Sequence, residues 1–230
     1  MSRNFDDLPS FDKLPSFGGL PGCAWEVWGK GDELGTVNLL TDEVVARAAK
    51  EEIQTGKRVT MNWPVNFPSK PMFNRRPPEH KVVSRTNPPR RASNDDELHI
   101  NTQSGTQWDG LRHFGIFSEK CFYQGVPASE IPQGVSNISD PTNVDKQAIK
   151  LGIHNWAQHG ICGRGVLVDL VKFYTEDGTK PLPYDPWKTH PIPVSDIKAA
   201  ADKQGVVFRP ADILLLRVGF MQVAITLRNI

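Results

Sequence analysis

Proline and glycine limit what this chain can fold into more than any other feature of its sequence. The 230 residues include 19 prolines and 19 glycines, which together exceed the average usage of these two residue types. Proline removes a backbone hydrogen-bond donor and glycine favours turns, so long uninterrupted helices are disfavoured. The sequence therefore predicts a fold rich in loops and turns rather than a helical bundle.

The charge and the apolar runs exclude several classes of protein. The chain carries 27 basic and 26 acidic residues, so its net charge of +1 provides no general attraction to nucleic acid or to an anionic membrane surface. Its longest apolar runs, such as 213–216, are far shorter than a membrane span. Asp6 and Asp7 stand where a signal peptide would place apolar residues. We therefore predict a soluble, cytoplasmic protein that binds neither nucleic acid nor membrane.

The cysteines agree with a reducing compartment. Their number is odd, and no two of them are closely spaced: Cys23, Cys121 and Cys162. Neither a disulfide framework nor a thiolate zinc site is indicated by this pattern.

The chain divides into two parts of different character. Residues 1–40 hold many turn residues and few periodic elements, which predicts an irregular N-terminal arm. Residues 41–230 alternate short apolar runs with helical patterns, which predicts a single α/β domain. Within it, we predict helices from the N-cap Thr41 to the residue before Gly56, at 148–158 and at 195–203, and strands at 58–63, 97–101, 165–171 and 212–218.

A long proline-rich segment interrupts the predicted domain. Residues 64–94 contain seven prolines, which should break any continuous element there and leave a loop or a lid. Two arginine pairs flank proline pairs in this segment: Arg75 with Arg76, and Arg90 with Arg91. The arginines could bind an anionic group, but acidic residues follow at once at 95–97, which favours a solvated loop.

The densest group of polar side chains lies between residues 103 and 113. If this segment is a strand that runs into a turn, Gln103, Gln107 and Asp109 share one face. Their oxygens could then converge on one cation or one polar ligand. His113 follows as a candidate proton carrier. The alternative is that these side chains only satisfy backbone groups in a tight turn.

The same stretch resembles the signature of the metal-dependent cyclase family, which includes bacterial kynurenine formamidases and isatin hydrolases. That signature is His-x-Gly-Thr-His-x-Asp-x-x-x-His. On this chain it puts Gln103 and Gln107 at the two ligand histidines, Asp109 at the ligand aspartate and His113 at the catalytic histidine. The segments 28–41, 165–170 and 211–219 are also similar to parts of the family, so the resemblance spans roughly residues 20 to 220 and is greatest to fungal cyclase-like proteins with the same glutamines.

The resemblance implies a fold and an assembly. The family fold is a compact swivelling β/β/α domain with a central mixed sheet and helices around it, and its members usually form homodimers or larger homo-oligomers. Because the sequence ends at Ile230, soon after the strand predicted at 212–218, the C-terminal part of the family domain is expected to be missing.

The resemblance also implies a function. It indicates a hydrolase of a cyclic or aryl amide, of the tryptophan and kynurenine type, or a related cyclase, with His113 and Asp109 as catalytic groups. A divalent metal, manganese or zinc, would bind at Gln103, Gln107 and Asp109, but a carboxamide is a weaker ligand than imidazole, so the site is expected to be weak or without metal. Substrate contacts are expected at Trp28, Trp108 and His159. The alternatives are a non-catalytic relative that binds a small molecule and a cyclase that modifies a secondary metabolite.

Overall fold

The computed structural model describes residues 5–84 and 93–222, and the predicted α/β class is confirmed in them. Long loops and short 3-10 turns connect the elements, as the proline and glycine content predicts. The α-helices are α1 (Asp42–Glu52), α2 (His154–His159), α3 (Leu170–Tyr174) and α4 (Val194–Lys203). The strands are β1 (Glu79–Ser84), β2 (Asn94–His99), β3 (Gly165–Asp169) and β4 (Ile213–Arg217).

Among the described residues, the four strands form two separate two-stranded sheets. β1 and β2 pair antiparallel, from Glu79 opposite His99 to Ser84 opposite Asn94. Both strands carry charged residues and are largely exposed, so neither could lie at the centre of a covered sheet. β3 and β4 pair in parallel and form the second sheet.

The parallel sheet and two helices form the best-buried part of the structure. Val168 of β3 and Leu170 of α3 are fully buried, and Ala200 and Ala201 of α4 pack against them. Small alanine side chains let the helix backbone approach the strand closely. β4 is covered less well, and its leucines at 214 and 216 stay partly exposed.

Helix α1 begins where the sequence predicts. The hydroxyl oxygen of the N-cap residue Thr41 accepts a hydrogen bond from the backbone N–H of Val44, at 3.4 Å. The helix ends at Glu52, one turn before the predicted end at Gly56, and Ile53 lies in solvent with 70 % of its surface exposed.

Three predicted elements were wrong. Residues 58–63 form no strand, because no other described strand pairs with them. The proline-rich segment does contain a strand, β1, because residues 79–84 lie in a stretch without proline. The helix predicted at 148–158 is formed only at its end, as α2. Arg90 and Arg91 lie outside the described residues.

The segment before α1 packs on a second apolar cluster. That cluster contains the buried residues Val126, Ile131 and Leu151. The phenol of Tyr123 packs against it and donates a hydrogen bond to Oδ2 of Asp32, at 2.9 Å. The same carboxyl oxygen accepts a 2.7 Å hydrogen bond from the backbone N–H of Gly35. Asp32 therefore ties the N-terminal segment to residues more than ninety positions away.

Within residues 5–84 and 93–222, no helix has both the length and the apolar character needed to cross a membrane.

The contact between Tyr123 and Asp32 makes stability depend on pH in the alkaline range. Burial, and then the hydrogen bond to Asp32, raise the pKa of Tyr123 above its ordinary value. A raised folded-state pKa means that the contribution to stability is complete below the unfolded pKa of about 10 and is lost as the pH rises through the folded value. Tyr123→Phe should lower the free energy of unfolding by about 1 kcal/mol at pH 8 and should weaken its alkaline decline. Urea denaturation at pH 8 and at pH 10.5 measures both effects, and an unchanged decline in the variant would contradict this account.

Candidate functional site

The segment that carries the candidate catalytic residues is a turn and a loop, as in the tight-turn alternative, and not the strand on which the shared-face argument depends. Residues Thr102–Ser104 form a 3-10 turn. The side-chain oxygen of Asn101 accepts a hydrogen bond from the backbone N–H of Gln103, at 2.9 Å. The hydroxyl of Ser104 donates a hydrogen bond to the carbonyl of Asn101, at 2.6 Å. These local side-chain bonds replace the ladder that a strand would need. The period-two argument for a shared face therefore does not apply here.

Gln103 and Gln107 lie together, but they contact each other. Nε2 of Gln107 donates a hydrogen bond to Oε1 of Gln103, at 3.1 Å. Gly105 between them lies so close to the backbone of Phe67 that an added Cβ would stand 3.1 Å from its carbonyl oxygen. Glycine at 105 therefore lets the turn press against the segment around Phe67, and the two amides are held beside each other.

Asp109 and His113 form a second pair. Oδ1 of Asp109 lies 3.6 Å from Nε2 of His113, and the His113 side chain is 32 % exposed. A backbone hydrogen bond from His113 to the carbonyl of Gly110, at 3.0 Å, closes the turn that brings the two side chains together. Nδ1 of His113 has no hydrogen-bond partner among the described residues, so it can exchange a proton with a bound molecule or with water.

The donor groups available here suit zinc poorly. The amides of Gln103 and Gln107 bind each other, and a carboxamide is a poor ligand for zinc. In the part of the chain that the structure describes, no three side chains of His, Cys, Asp or Glu cluster as metal ligands would. The described contacts of these four residues are two side-chain pairs, Gln103 with Gln107 and Asp109 with His113.

A cavity of about 300 Å³ lies beside the glutamine pair, and both Gln103 and Gln107 line it. Aromatic rings form much of its wall. The rings of Trp63 and Phe67 lie 4.8 Å apart, and those of Trp187 and Phe220 lie 4.5 Å apart. Trp63 and Phe220 stack with 6.4 Å between their ring centres, which joins the two pairs into one wall. Such a wall suits a flat aromatic molecule.

The sequence does not predict this wall. Trp63 was placed at the end of a strand that does not form, and Trp187 lies in a proline-rich loop more than 120 residues away. An aromatic residue in a loop carries no local signal of its distant partner. Only the close spacing of Trp63 and Phe67, four residues apart, could have indicated a local ring contact.

A pair of tryptophans lies next to the catalytic candidates. Trp108 is 59 % exposed and meets Trp156 of α2 edge to face, with ring centres 6.2 Å apart. The indole N–H of Trp156 donates to the carbonyl of Leu34, at 3.1 Å. Trp108 is therefore supported by a ring that the N-terminal segment holds in place, and its exposed surface stays open to a ligand.

The carboxylate of Glu33 organises the loop that leads into α2, the helix that carries Trp156. Oε2 of Glu33 accepts one hydrogen bond from the backbone N–H of Leu151, at 2.8 Å, and another from the amide of Asn155, at 2.5 Å. Arg112 donates to the carbonyls of Ala148 and Lys150 at 3.3 and 3.2 Å. The loop at 148–156 thus connects Glu33 with the segment that bears Asp109 and His113.

None of the three residues expected at the substrate, Trp28, Trp108 and His159, is among the described residues that line this cavity. Trp28 is half-buried in the N-terminal segment and is not among the described residues that line the cavity. His159 ends α2, where Nδ1 lies 2.9 Å from the carbonyl oxygen of Gly160. Neither residue is joined to Asp109 or His113 by a described contact.

Comparisons with known proteins place the chain in a family of cyclases. A sequence model of the family described as "Putative cyclase" matches residues 57–226. A crystal structure described as that of a novel cyclase superposes with a TM-score of 0.66 and is 31 % identical in sequence. The match covers 87 % of this chain but 63 % of that one, so this chain spans less than two thirds of the length of its structural relative. No curated protein matches significantly. The chain belongs to this cyclase family.

Removing the carboxylate of Glu33 should loosen the loop that supports Trp108. Glu33→Ala leaves the N–H of Leu151 and the amide of Asn155 without their acceptor, and we expect a loss of about 2 kcal/mol in the free energy of unfolding. Trp156 loses its fixed position, so the accessibility of tryptophan to iodide should rise. Glu26→Ala, which removes an exposed carboxylate of the same segment, should change the free energy by less than about 0.5 kcal/mol. Equal effects of the two substitutions in urea denaturation would contradict the role given to Glu33.

Proposed function

We propose that this chain hydrolyses an amide bond in a small aromatic molecule, or opens or closes a ring through the same bond. The observation that carries the proposal is the pair of Asp109 and His113, 3.6 Å apart, close in sequence to an aromatic cavity lined by Gln103 and Gln107. The resemblance to kynurenine formamidases and isatin hydrolases supports the same class of substrate. The proposal also includes the compact swivelling β/β/α fold that the family resemblance implies.

His113 would move the proton in this reaction. Nδ1 takes a proton from water, the water oxygen attacks the amide carbon, and the imidazolium then returns the proton to the nitrogen as the carbon–nitrogen bond breaks. Asp109 stabilises the imidazolium that forms between these two steps. Because Nε2 of His113 faces the carboxylate, the opposite nitrogen is the one that meets water.

The glutamine pair would hold the substrate carbonyl. Oε1 of Gln103 accepts from Gln107, so the NH₂ group of Gln103 keeps two donors for another partner. A donor aimed at the oxygen of the amide stabilises the negative charge that develops there during attack. Asp109 follows Gln107 by two residues, which span at most about 7.2 Å between Cα atoms. Chain connectivity therefore keeps Asp109 near the amides, and His113 is linked to them through its contact with Asp109.

Substitution of the pair tests this mechanism. His113→Ala should lower kcat for hydrolysis of N-formylkynurenine or isatin by at least about a hundredfold, since it removes the proton carrier. Asp109→Asn should lower kcat by about tenfold or more, because the imidazolium loses its counter-charge. Release of the aromatic amine, or opening of the isatin ring, is followed by absorbance. His80→Ala, on the exposed hairpin, is the control that should leave the rate unchanged, and full activity in both site variants would reject the proposal.

A non-catalytic binding protein is the second candidate. The hydrogen bond between Gln103 and Gln107 favours it, because these two residues stand where the family signature has histidine ligands. A protein of this kind would bind the aromatic molecule in the cavity without turning it over. Tight binding with no measurable hydrolysis by the unaltered protein would select this candidate.

A weak manganese or zinc site at Gln103, Gln107 and Asp109 stays a prediction, as do a homodimer or larger assembly and a location in the cytoplasm. Metal analysis of the purified protein, followed by titration with Mn²⁺ and Zn²⁺, tests the first of these. We expect substoichiometric metal after dialysis, because two carboxamides and one carboxylate bind zinc far more weakly than imidazoles do. One metal ion per chain that survives dialysis would contradict this expectation.

A further inference from the structure

Two cationic side chains line the aromatic cavity without a counter-charge. Lys70 and Arg75 belong to its wall, and no aspartate or glutamate is among the described residues that line it. The neighbouring Arg76 is neutralised by Glu79 at 2.9 Å. Lys70 and Arg75, by contrast, form no ion pair with a carboxylate anywhere in residues 5–84 and 93–222.

Other cavities of the molecule differ in this respect. The one that contains Lys172 and Lys203 also contains Asp177. Two further cavities, which share Arg47, are lined by acidic residues as well as by arginine. Uncompensated positive charge is therefore a property of the cavity beside the glutamines, not of cavities in this chain generally.

The guanidinium of Arg75 is held at the cavity by an aromatic ring. Its central carbon lies 4.9 Å from the ring centre of Phe73, within the range of a cation–π contact. Phe73 and Asn74 both adopt positive φ angles, 59° and 55°, in the short 3-10 turn that precedes Arg75. The backbone N–H of Arg75 closes this tight turn on the carbonyl of Met72, at 3.4 Å. No hydrogen bond among the described residues engages its guanidinium, so these N–H donors stay available to a ligand.

We propose that Lys70 and Arg75 bind the carboxylate of a flat aromatic acid whose ring lies against Trp63, Phe67, Trp187 and Phe220. The inference rests on the proposed function for the site, and it adds the charge of the substrate and two residues that select it. A planar guanidinium matches a carboxylate with two parallel hydrogen bonds, and the ammonium of Lys70 adds a second positive charge. The aromatic wall offers apolar contact to the ring of the acid, and the two cations lie in the same cavity. The amide to be cleaved would then face Gln103 and Gln107 at the same cavity.

Two probes that differ only in charge test the proposal. 2-Aminobenzoate carries a carboxylate, and 2-aminobenzamide carries a neutral amide of nearly the same shape. Isothermal titration calorimetry with the full chain should give 2-aminobenzoate an affinity about tenfold higher than that of 2-aminobenzamide. Equal affinities, or binding of neither probe, would overturn the proposal.

Substitutions assign the preference to the two cations. Arg75→Met and Lys70→Met keep an apolar stem of similar length and remove the charge, so each should reduce the preference for 2-aminobenzoate, and the double variant should abolish it. Lys146→Met removes an exposed lysine elsewhere on the surface and should leave the preference intact. A double variant that keeps the preference, with unfolding curves like those of the unaltered protein, would overturn the assignment.

The binding measurement separates this inference from the proposed function. Calorimetry detects binding without turnover, so a charge preference that persists in a protein without hydrolase activity rejects the catalytic proposal alone. Hydrolysis that persists in a protein without the charge preference rejects the carboxylate inference alone.

Discussion

The two carboxylates that follow one another at Asp32 and Glu33 hold together parts of the chain that lie far apart in sequence. The carboxylate of Asp32 accepts hydrogen bonds from the phenol of Tyr123 and the backbone N–H of Gly35. The carboxylate of Glu33 accepts hydrogen bonds from the backbone N–H of Leu151 and the side-chain amide of Asn155. Each bond satisfies a polar group that is at least partly withdrawn from water, so the loss of either acceptor carries a desolvation cost. The candidate site depends on these bonds through the segment 148–156, which is a loop followed by the first turn of α2. Trp156 in this segment supports Trp108, and two carbonyl groups of the segment accept hydrogen bonds from Arg112.

The site itself consists of two neighbouring arrangements with different chemistry. Asp109 and His113 form a pair suited to proton transfer, and the amides of Gln103 and Gln107 face an aromatic cavity suited to binding. The glutamines belong to the cavity, and chain connectivity keeps the acid/base pair close to them. A family member with carboxamides at these positions can thus retain a binding site even where the donor set no longer suits zinc.

Residues with strong local preferences were predicted well. Thr41 caps α1 because its hydroxyl satisfies an N–H at the helix start, and α4 and β4 follow local apolar periodicity. Predictions that needed a distant partner failed more often. Residues 58–63 alternate as a strand would, but no neighbouring strand accepts their hydrogen bonds. The strand β1 was missed because it is exposed and charged, so it lacks the apolar alternation of a half-buried strand, and its hydrogen bonds are made to β2.

By itself, the sequence determined the α/β class, the abundance of loops, the family signature from 103 to 113 and the absence of imidazole at two of its positions. Only the tertiary structure decided how those side chains pair, with Gln107 donating to Gln103 and Asp109 facing His113. It also decided that Trp63 and Phe220 face each other across one cavity. The physical reason is that backbone propensities act over a few residues, whereas side-chain pairing and aromatic packing depend on which distant segments the folded chain brings into contact.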